Sequence, residues 1–498
     1  MPKAATTSAH SQLTRPASTE NPRPASAENA GSAAAESVAP TATADLSAAA
    51  DVTSPVVNTF IDTDTTAEHT VVAVVGLGYV GLPTAIALRQ AGNRIVGIDI
   101  SSRRLDAIRQ GEIELLGEEL QALREHLDGD GFVLTEQIQA LDAADVVLIC
   151  VPTPIDEQLQ PDPRILRGAC AAVVRHARPG QTIVLTSTTY VGTTRELLVQ
   201  PLHRRGLDVG EDVFVAFAPE RIDPGVEGHE QLSTPRVVGG VTEACLQRAE
   251  AVLAHTCLRV HRVSSPEAAE MVKLYENTFR AVNIALAFEM AEACRAYALD
   301  PVEVIDGAAT KPYGFLAHYP SAGVGGHCIG VDPYYLLGPL RELGRPALVA
   351  EEALRKVSGR PRHMAWRAHE LLSRSGRPLK DAHVLVVGAS YKPGVADMRE
   401  APAVEIIARL QNEGAHVDYY DPLVPTLRVG EEELRSVRVE LRGEGPNVGR
   451  GESVNLKRYD LAILATLHPE HDYGWLARCP AVLDCTYRTP LGKKRFLP

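Results

Sequence analysis

The sequence predicts an α/β protein: two Rossmann-like doubly wound units joined by a long central helix and preceded by a disordered tail. Three observations carry that expectation. Short apolar runs alternate with helical stretches, beginning with "HTVVAVVGLGYVGLPTAIALRQAGNRIVGIDI", as a parallel sheet with both faces covered requires. The same strand–turn–helix–strand pattern restarts from Ala382 in "HVLVVGASYKPGVADMREAPAVEIIARLQNEGAHVDYYDP". Between the two, "PEAAEMVKLYENTFRAVNIALAFEMAEACRAY" keeps a helical pattern from about Pro266 to Tyr297.

The elements follow in order. Residues 1–66 are rich in Ala, Ser, Thr and Pro and poor in large apolar side chains, so they cannot bury enough surface to offset their ordering entropy. The first unit spans 67–264. Its first strand is Val71 to Val75, followed by a Gly-rich turn and a helix; a second strand runs from Arg94 to Ile100 and carries Asp99 at its end. "DVVLICVPTP", "TIVLTSTTYVGTT" and "DVFVAFAPERIDPG" supply further strands with polar ends. The central helical region spans 265–370 and the second α/β unit 371–498. There too a strand ends in an aspartate, Asp421, and "YDLAILAT" and "AVLDC" add strands. Leu441 to Leu456 is rich in Gly and charge and reads as a surface loop.

Composition narrows the function classes. The chain has 498 residues, more than a single core supports, with 45% apolar and 23% charged residues. Its net charge of −13 carries no basic footprint for nucleic acid. No apolar run reaches the length of a membrane span, and "MPKAATTSAHSQLTRPAS" lacks the apolar core of a signal peptide. The eight cysteines are scattered without a C-x-x-C pair, which argues against a zinc site or a disulfide framework and for a reducing, cytoplasmic setting.

The first chemical motif is "GLGYVG". Gly76, Gly78 and Gly81, with Tyr79 and Val80 between them, follow a strand and open a helix, and Asp99 stands about 20 residues on. The glycines allow the tight turn, the approach of a pyrophosphate and helix–strand packing, and the helix N-terminus faces the phosphates. A carboxylate at Asp99 accepts from a ribose hydroxyl, which favours NAD. Arg103 and Arg104, just beyond it, are the kind of side chain that holds a 2′-phosphate, but the carboxylate decides for NAD.

The second motif is "SAGVGGHCIGVDPYYL", with glycines crowded before Cys328. Glycine loses the most entropy on folding, so such a cluster requires a turn or a close approach to the backbone; we expect a bulky substrate there. A thiolate beside NAD can add to an aldehyde as a thiohemiacetal, and a second hydride removal then gives a thioester that water cleaves. Asp332, four residues on, can activate that water. Taken alone, Cys328 reads as a buried structural thiol. Lys273 and Asn277 lie at i and i+4 on one face of the long helix and suit an oxyanion, although alone such a pair reads as a solvated face.

Together these pieces resemble the UDP-glucose / UDP-N-acetylhexosamine 6-dehydrogenases, the nucleotide-sugar dehydrogenases. The blocks "GLGYVGLP", "CVPTP", "TSTTYVGTT", "APERIDPG", "TPRVVGG", "KLYENTFRAVNIALA", "PYGF", "GVGGHCIGVDPYYL" and "SYKPGVADMREAP" stand in family order over about residues 70 to 490. The resemblance implies two NAD-dependent oxidations at C6 of a UDP-sugar, with Cys328 as nucleophile and Lys273 and Asn277 stabilising the oxyanion. It implies that Asp332 assists thioester hydrolysis and that Glu220 and Thr153 order water. Thr153 and Thr188 match cofactor contacts. Glu220 and Arg221, with Arg280, Asn283, Gly325, Lys392 and Arg399, match the sugar-nucleotide pocket, and Tyr313, Gly314 and Phe315 match a loop over the uridine diphosphate. The long helix is implied to form a homodimer or higher homo-oligomer, and no metal is implied.

"PERIDPG" resembles the form found with N-acetylhexosamine oxidation, favouring UDP-N-acetylglucosamine or an acetamido epimer, with UDP-glucose as the alternative. Four positions depart from the family pattern: Ser321, Val191, Phe288 and Pro224, beside which Asp223 could substitute for a missing glutamate. Two competing functions are a two-electron hydroxyacid-type dehydrogenase, which needs neither Cys328 nor the second α/β unit, and a non-catalytic NAD-dependent binding protein, which the set Glu220, Lys273, Asn277, Cys328 and Asp332 opposes.

Overall fold

The computed structural model describes residues 70–498 apart from 114, 116, 128, 130, 157, 222–231, 327–328, 439–455 and 490–494. The expected tail, the expected loop as far as residue 455, and Asp223 and Pro224 fall outside the described residues.

The first sheet contains β1 (Val71–Val75), β2 (Arg94–Ile98), β3 (Phe132–Thr135), β4 (Val146–Ile149), β5 (Thr182–Leu185), β6 (Phe214–Phe217), β7 (Arg236–Gly240) and β8 (Val260–Val263). Their order is β3-β2-β1-β4-β5-β6-β7-β8, parallel throughout except for the antiparallel β6–β7 pair. The first six follow the doubly wound dinucleotide-binding order, whose strand order reverses between β1 and β4. Val72, Val74 and Leu148 enter one apolar cluster and Ala73, Val75, Val147 and Ile149 the other, so both faces are covered and the strands read as continuous apolar runs.

β2 stops at Ile98, two residues earlier than the pattern suggests. Asp99 turns its carboxylate back, with Oδ2 accepting from Leu77 N at 2.9 Å and Oδ1 from Ser101 N at 2.9 Å, which takes the chain out of the ladder.

The central helix runs Pro266–Ala296, 31 residues, about 46 Å at the α-helical rise. It starts where a helix should: Ser265 caps Ala268 N, Pro266 occupies the first turn and Glu267 faces the dipole. The helices Asp332–Glu342 and Leu348–Ser358 pack along it, burying Ala281 with Tyr334, Leu337, Ala350 and Leu354, and further on Phe288 with Ala353 and Val357.

The second sheet contains β9 (His383–Val387), β10 (His416–Tyr420), β13 (Leu461–Leu464), β14 (Val482–Asp484) and β15 (Arg495–Phe496), all parallel in the order β10-β9-β13-β14-β15; between them a hairpin pairs β11 (Thr426–Val429) with β12 (Glu432–Arg435). The helices Arg360–Arg374 and Pro402–Asn412 cover one face through Met364, Leu371, Ile406 and Leu410. The fold is therefore the one expected: two Rossmann-like sheets with a long helix between them.

Two departures from the family pattern meet at one buried side chain. Arg360 lies 4.7 Å over the Phe288 ring, donates from Nε to Ser321 O at 3.1 Å and from Nη2 to Tyr487 Oη at 2.7 Å. Phe288 thus replaces an amide with an aromatic face for a guanidinium, and the helix contact it forms is closed rather than open. Val191 is exposed, so a proline is not needed there for packing. Among the described residues no helix is long and apolar enough to cross a membrane.

Candidate functional site

The cofactor cradle forms where β1 meets β4. Gly76 has φ +91°, and a Cβ there would lie 2.7 Å from Cys150 O; a Cβ on Gly81 would lie 1.8 Å from Gly76 O. Both close approaches exclude any other residue, whereas Gly78 faces open space, which leaves one side of the turn for a ligand. The helix Gly81–Gln90 begins after Val80 without a side-chain cap; Leu82 N donates to Gly78 O at 3.2 Å and Pro83 has no N–H, which leaves the Gly81 amide as the first-turn donor that suits a phosphate. Arg104 Nε donates to Leu77 O at 3.0 Å and braces the turn from the Asp99 side. The donor set and the glycine geometry fit a dinucleotide.

The catalytic candidates converge from three elements. Lys273 and Asn277 share a face of the central helix. Lys273 Nζ donates to the Glu220 carbonyl at 2.7 Å, and Asn277 Nδ2 donates to Asp332 Oδ2. Asp332 opens the helix Asp332–Glu342 and is buried. Burial pushes its carboxyl up to about 6, against the pull of Lys273 and of hydrogen bonds from Asn277 and Thr188. Thr188, expected at the cofactor, is thus placed at this carboxylate, and Thr153 bonds the hydroxyl of Tyr335, which also donates to Pro154 O at 2.8 Å. The Glu220 carboxylate is buried, paired with the equally buried Arg236, and accepts from Arg221 N at 2.8 Å.

Cys328 lies outside the described residues, but its flanks are placed: Gly326 N donates to Arg399 O at 2.9 Å, and Ile329 packs on the central-helix cluster. Within the chain, the glycine run lies against the second unit. A Cβ on Gly325 would lie 2.4 Å from Tyr391 Cβ and 2.8 Å from Glu400 O. The close approach that glycine permits here is to the second unit's own chain.

That same 391–400 stretch reaches the cofactor turn. Arg399 is held by both oxygens of Asp397 and lies 3.9 Å over the Tyr79 ring, whose hydroxyl bonds Asp397. Tyr79 therefore joins the cradle of the first unit to the second, and Lys392 sits half-buried in that stretch.

Other expected substrate residues make contacts of their own. Arg221 directs Nε and Nη2 to Glu276 and Nη1 to Pro235 O at 2.7 Å. Asn283 Nδ2 donates to its own helix at Phe279 O, and Arg280 is on the helix's exposed side. Tyr313, Gly314 (φ +68°) and Phe315 lie in an exposed stretch. The sequence reading missed Glu270, fully buried, which accepts from Gly192 N, Thr194 N and Thr194 Oγ1 and so pins the TTYVGTT turn to the central helix. It also missed Arg236, Glu276 and Asp397. The D-x-R spacing of Asp397 and Arg399 was a readable signal; a buried helical glutamate has none.

The described cysteines, seven of them, are buried, and no group of three or more described His, Cys, Asp and Glu residues could hold a metal ion. Sheet order, glycine turn and strand-end carboxylate define a dinucleotide-dependent α/β protein, and the lysine–amide–carboxylate cluster beside the cradle marks it as an oxidoreductase. The chain belongs to the UDP-glucose/GDP-mannose dehydrogenase family: the family's NAD binding domain matches residues 70–257, its central domain 267–357 and its UDP binding domain 385–487. NAD is its cofactor.

Similar proteins include a UDP-N-acetyl-D-mannosamine dehydrogenase of Pyrococcus horikoshii, 35% identical over 71% of this chain and 84% of that protein. A UDP-N-acetyl-D-glucosamine 6-dehydrogenase of Pseudomonas aeruginosa is 34% identical over 71% of this chain and 83% of its own length. The solved structure of a UDP-D-ManNAc dehydrogenase from Pyrococcus horikoshii superposes with a TM-score of 0.75 at 31% identity, covering 86% of this chain and 99% of that one.

Proposed function

We propose that the protein oxidises C6 of a UDP-N-acetylhexosamine, UDP-N-acetylglucosamine or an acetamido epimer, to the uronic acid in two NAD-dependent steps through Cys328. The observation that carries this reading is Asp332: a buried carboxyl raised to about 6, held by Asn277 and Thr188 beside Lys273, four residues from the cysteine. The similarity to acetamido-sugar dehydrogenases favours that substrate class.

Bound NAD supplies a hydride acceptor, one for each oxidation. The primary alcohol loses a hydride and a proton and becomes an aldehyde. The Cys328 sulfur adds to the carbonyl carbon, and the resulting oxyanion is met by Lys273 and Asn277. A second hydride leaves the thiohemiacetal carbon and gives a thioester. Asp332 takes a proton from water, which attacks the thioester carbon; the C–S bond breaks and the thiol is restored. A carboxyl with a value near 6 is a base at neutral pH and still a moderately strong one. Glu220, fixed by Arg236, and Thr153 order that water, while Lys392 and Arg399 bind the diphosphate. Exposed Met271, Tyr275, Phe279, Leu286 and Met290 repeat at helical spacing along the central helix, which supports a homodimer through that face.

The test incubates the protein with NAD and, separately, UDP-glucose, UDP-N-acetylglucosamine, UDP-N-acetylgalactosamine and UDP-N-acetylmannosamine, following NADH and product mass. Two NADH per acetamido sugar, abolished by Cys328→Ser, is the expected result. One NADH per sugar, surviving Cys328→Ser, would establish a two-electron enzyme instead.

A further inference from the structure

The two sheets repeat one backbone device and then diverge. Gly388, φ +87°, follows β9 as Gly76 follows β1, and a Cβ on it would lie 2.1 Å from Thr466 O. Ala389 N donates to Asp421 Oδ2 at 2.7 Å, as Leu77 N donates to Asp99. In the first sheet the carboxylate takes two donors, Leu77 N and Ser101 N. In the second it takes six: Ala389 N, Ser390 N, Ser390 Oγ and His468 Nε2 on Oδ2, and Leu423 N and Val424 N on Oδ1. A carboxylate has about four lone-pair sites. Asp421, fully buried, has no capacity left for a ribose hydroxyl, so the second unit does not use its strand-end carboxylate as the first does.

One of these six donors, His468, gives that carboxylate another use. His468 is itself buried, its side chain 1% exposed. Its Nδ1 accepts from Gly394 N at 3.0 Å, so Nδ1 is bare, and Nε2 carries the proton that faces Asp421. Gly394 stands two residues after Lys392 in the stretch whose far end, Arg399, lies on Tyr79. The strand end, the imidazole and the loop amide form one continuous line: Asp421, His468, Gly394.

We propose that His468 is a positioning residue for nucleotide binding: as the Nε2-protonated tautomer anchored on Asp421, it holds the Gly394 amide and thereby sets the Lys392–Arg399 loop. This rests on the reading of Lys392 and Arg399 as diphosphate ligands given above. The role lies in the Nδ1 acceptor rather than in burial alone, and the two amide substitutions separate these. Glutamine places its amide near Nε2 and keeps the donor to Asp421 but loses the acceptor. Asparagine places its carbonyl near Nδ1 and keeps the acceptor.

The experiment titrates UDP alone into the full-length protein by calorimetry for wild type, His468→Gln and His468→Asn, with hydrogen exchange of the peptide covering 390–400. His468→Gln is expected to weaken UDP binding about tenfold, the consequence of one lost hydrogen bond that ordered the loop, and to speed exchange of that peptide. Its KM for the UDP-sugar rises with kcat little changed, and NAD affinity stays within about threefold. His468→Asn stays within about threefold of wild type for UDP. Equal losses in both variants, a glutamine variant that binds UDP like wild type, or NAD and UDP weakening together would each overturn the proposal. If His468→Gln does not fold, the asparagine variant decides alone: a loss there beyond about threefold overturns it. A wild type that does not bind UDP overturns the diphosphate reading itself, a separate outcome from unchanged binding in the variant.

Discussion

Replacing Asp332 with asparagine should stabilise the protein while disabling it. Burial lifts the Asp332 carboxyl from 3.8 to about 6. The folded state therefore holds a proton that the unfolded state releases between about pH 4 and pH 6. Stability fully present below about pH 4 is lost as pH rises through 6, and the difference in the two values corresponds to about 3 kcal/mol. Asparagine matches the shape, carries no charge to desolvate, and still offers a carbonyl to Asn277 Nδ2. Urea unfolding of wild type and Asp332→Asn at intervals from about pH 4 to about pH 8 checks this. The variant should lead by up to about 3 kcal/mol at the alkaline end, with the lead closing toward the acid end. Turnover should fall by about 10²–10⁴, the usual contribution of a general base, and wild-type turnover should itself decline as pH drops through about 6. A variant no more stable at about pH 8, or a lead that does not shrink on acidification, would refute the linkage between this burial and the carboxyl's proton.

Three further outcomes follow from the contacts. Tyr79→Leu and Arg399→Met should each raise KM for NAD and for the UDP-sugar, and a double-mutant cycle on kcat/KM should show coupling of about 1 kcal/mol, the size of a partly buried cation–π contact; additive effects would mean that the stack carries nothing. Gly325→Ala puts a methyl 2.4 Å from Tyr391 Cβ, so activity should collapse with overall secondary structure retained by circular dichroism. Phe288→Asn removes a fully buried ring beneath Arg360 and should cost about 3 kcal/mol in thermal or denaturant unfolding, although it restores the family's residue.

Local signals were legible and distant ones were not. The Gly76–Gly81 turn and Asp99 could be read because the residues that make the cradle lie within about two dozen positions of one another and the spacing itself encodes the turn. Lys273, Asn277 and Asp332 were found through helical spacing and the cysteine block, and the structure joins Asn277 to Asp332 by a hydrogen bond, with the Lys273 charge acting on the same carboxylate. Glu270 could not be found this way, because its partners at Gly192 and Thr194 are 78 and 76 residues away and a glutamate on a helix ordinarily signals an exposed face. Arg360 was hidden for the same reason: its contacts at Phe288, Ser321 and Tyr487 come from three distant segments. The glycine run told of a close approach but not of its object. Glycine spacing records how much room a backbone needs, and the identity of the neighbour resides in Tyr391 and Glu400, more than sixty residues later.

That distance has a consequence for how the protein is made. A chain leaving the ribosome completes its first sheet, through Val263, before the central helix and the glycine run emerge. The run then has no seat: Tyr391, Glu400 and Pro402, against which Gly325 and Gly323 close, are still to be synthesised. The glycine run before residue 327 is therefore organised among the last parts of the molecule, and a chain truncated before residue 391 would carry the Gly76–Gly81 turn with nothing for Gly325 to close against. Closure of the glycine run is therefore tied to synthesis of the second unit rather than of the first.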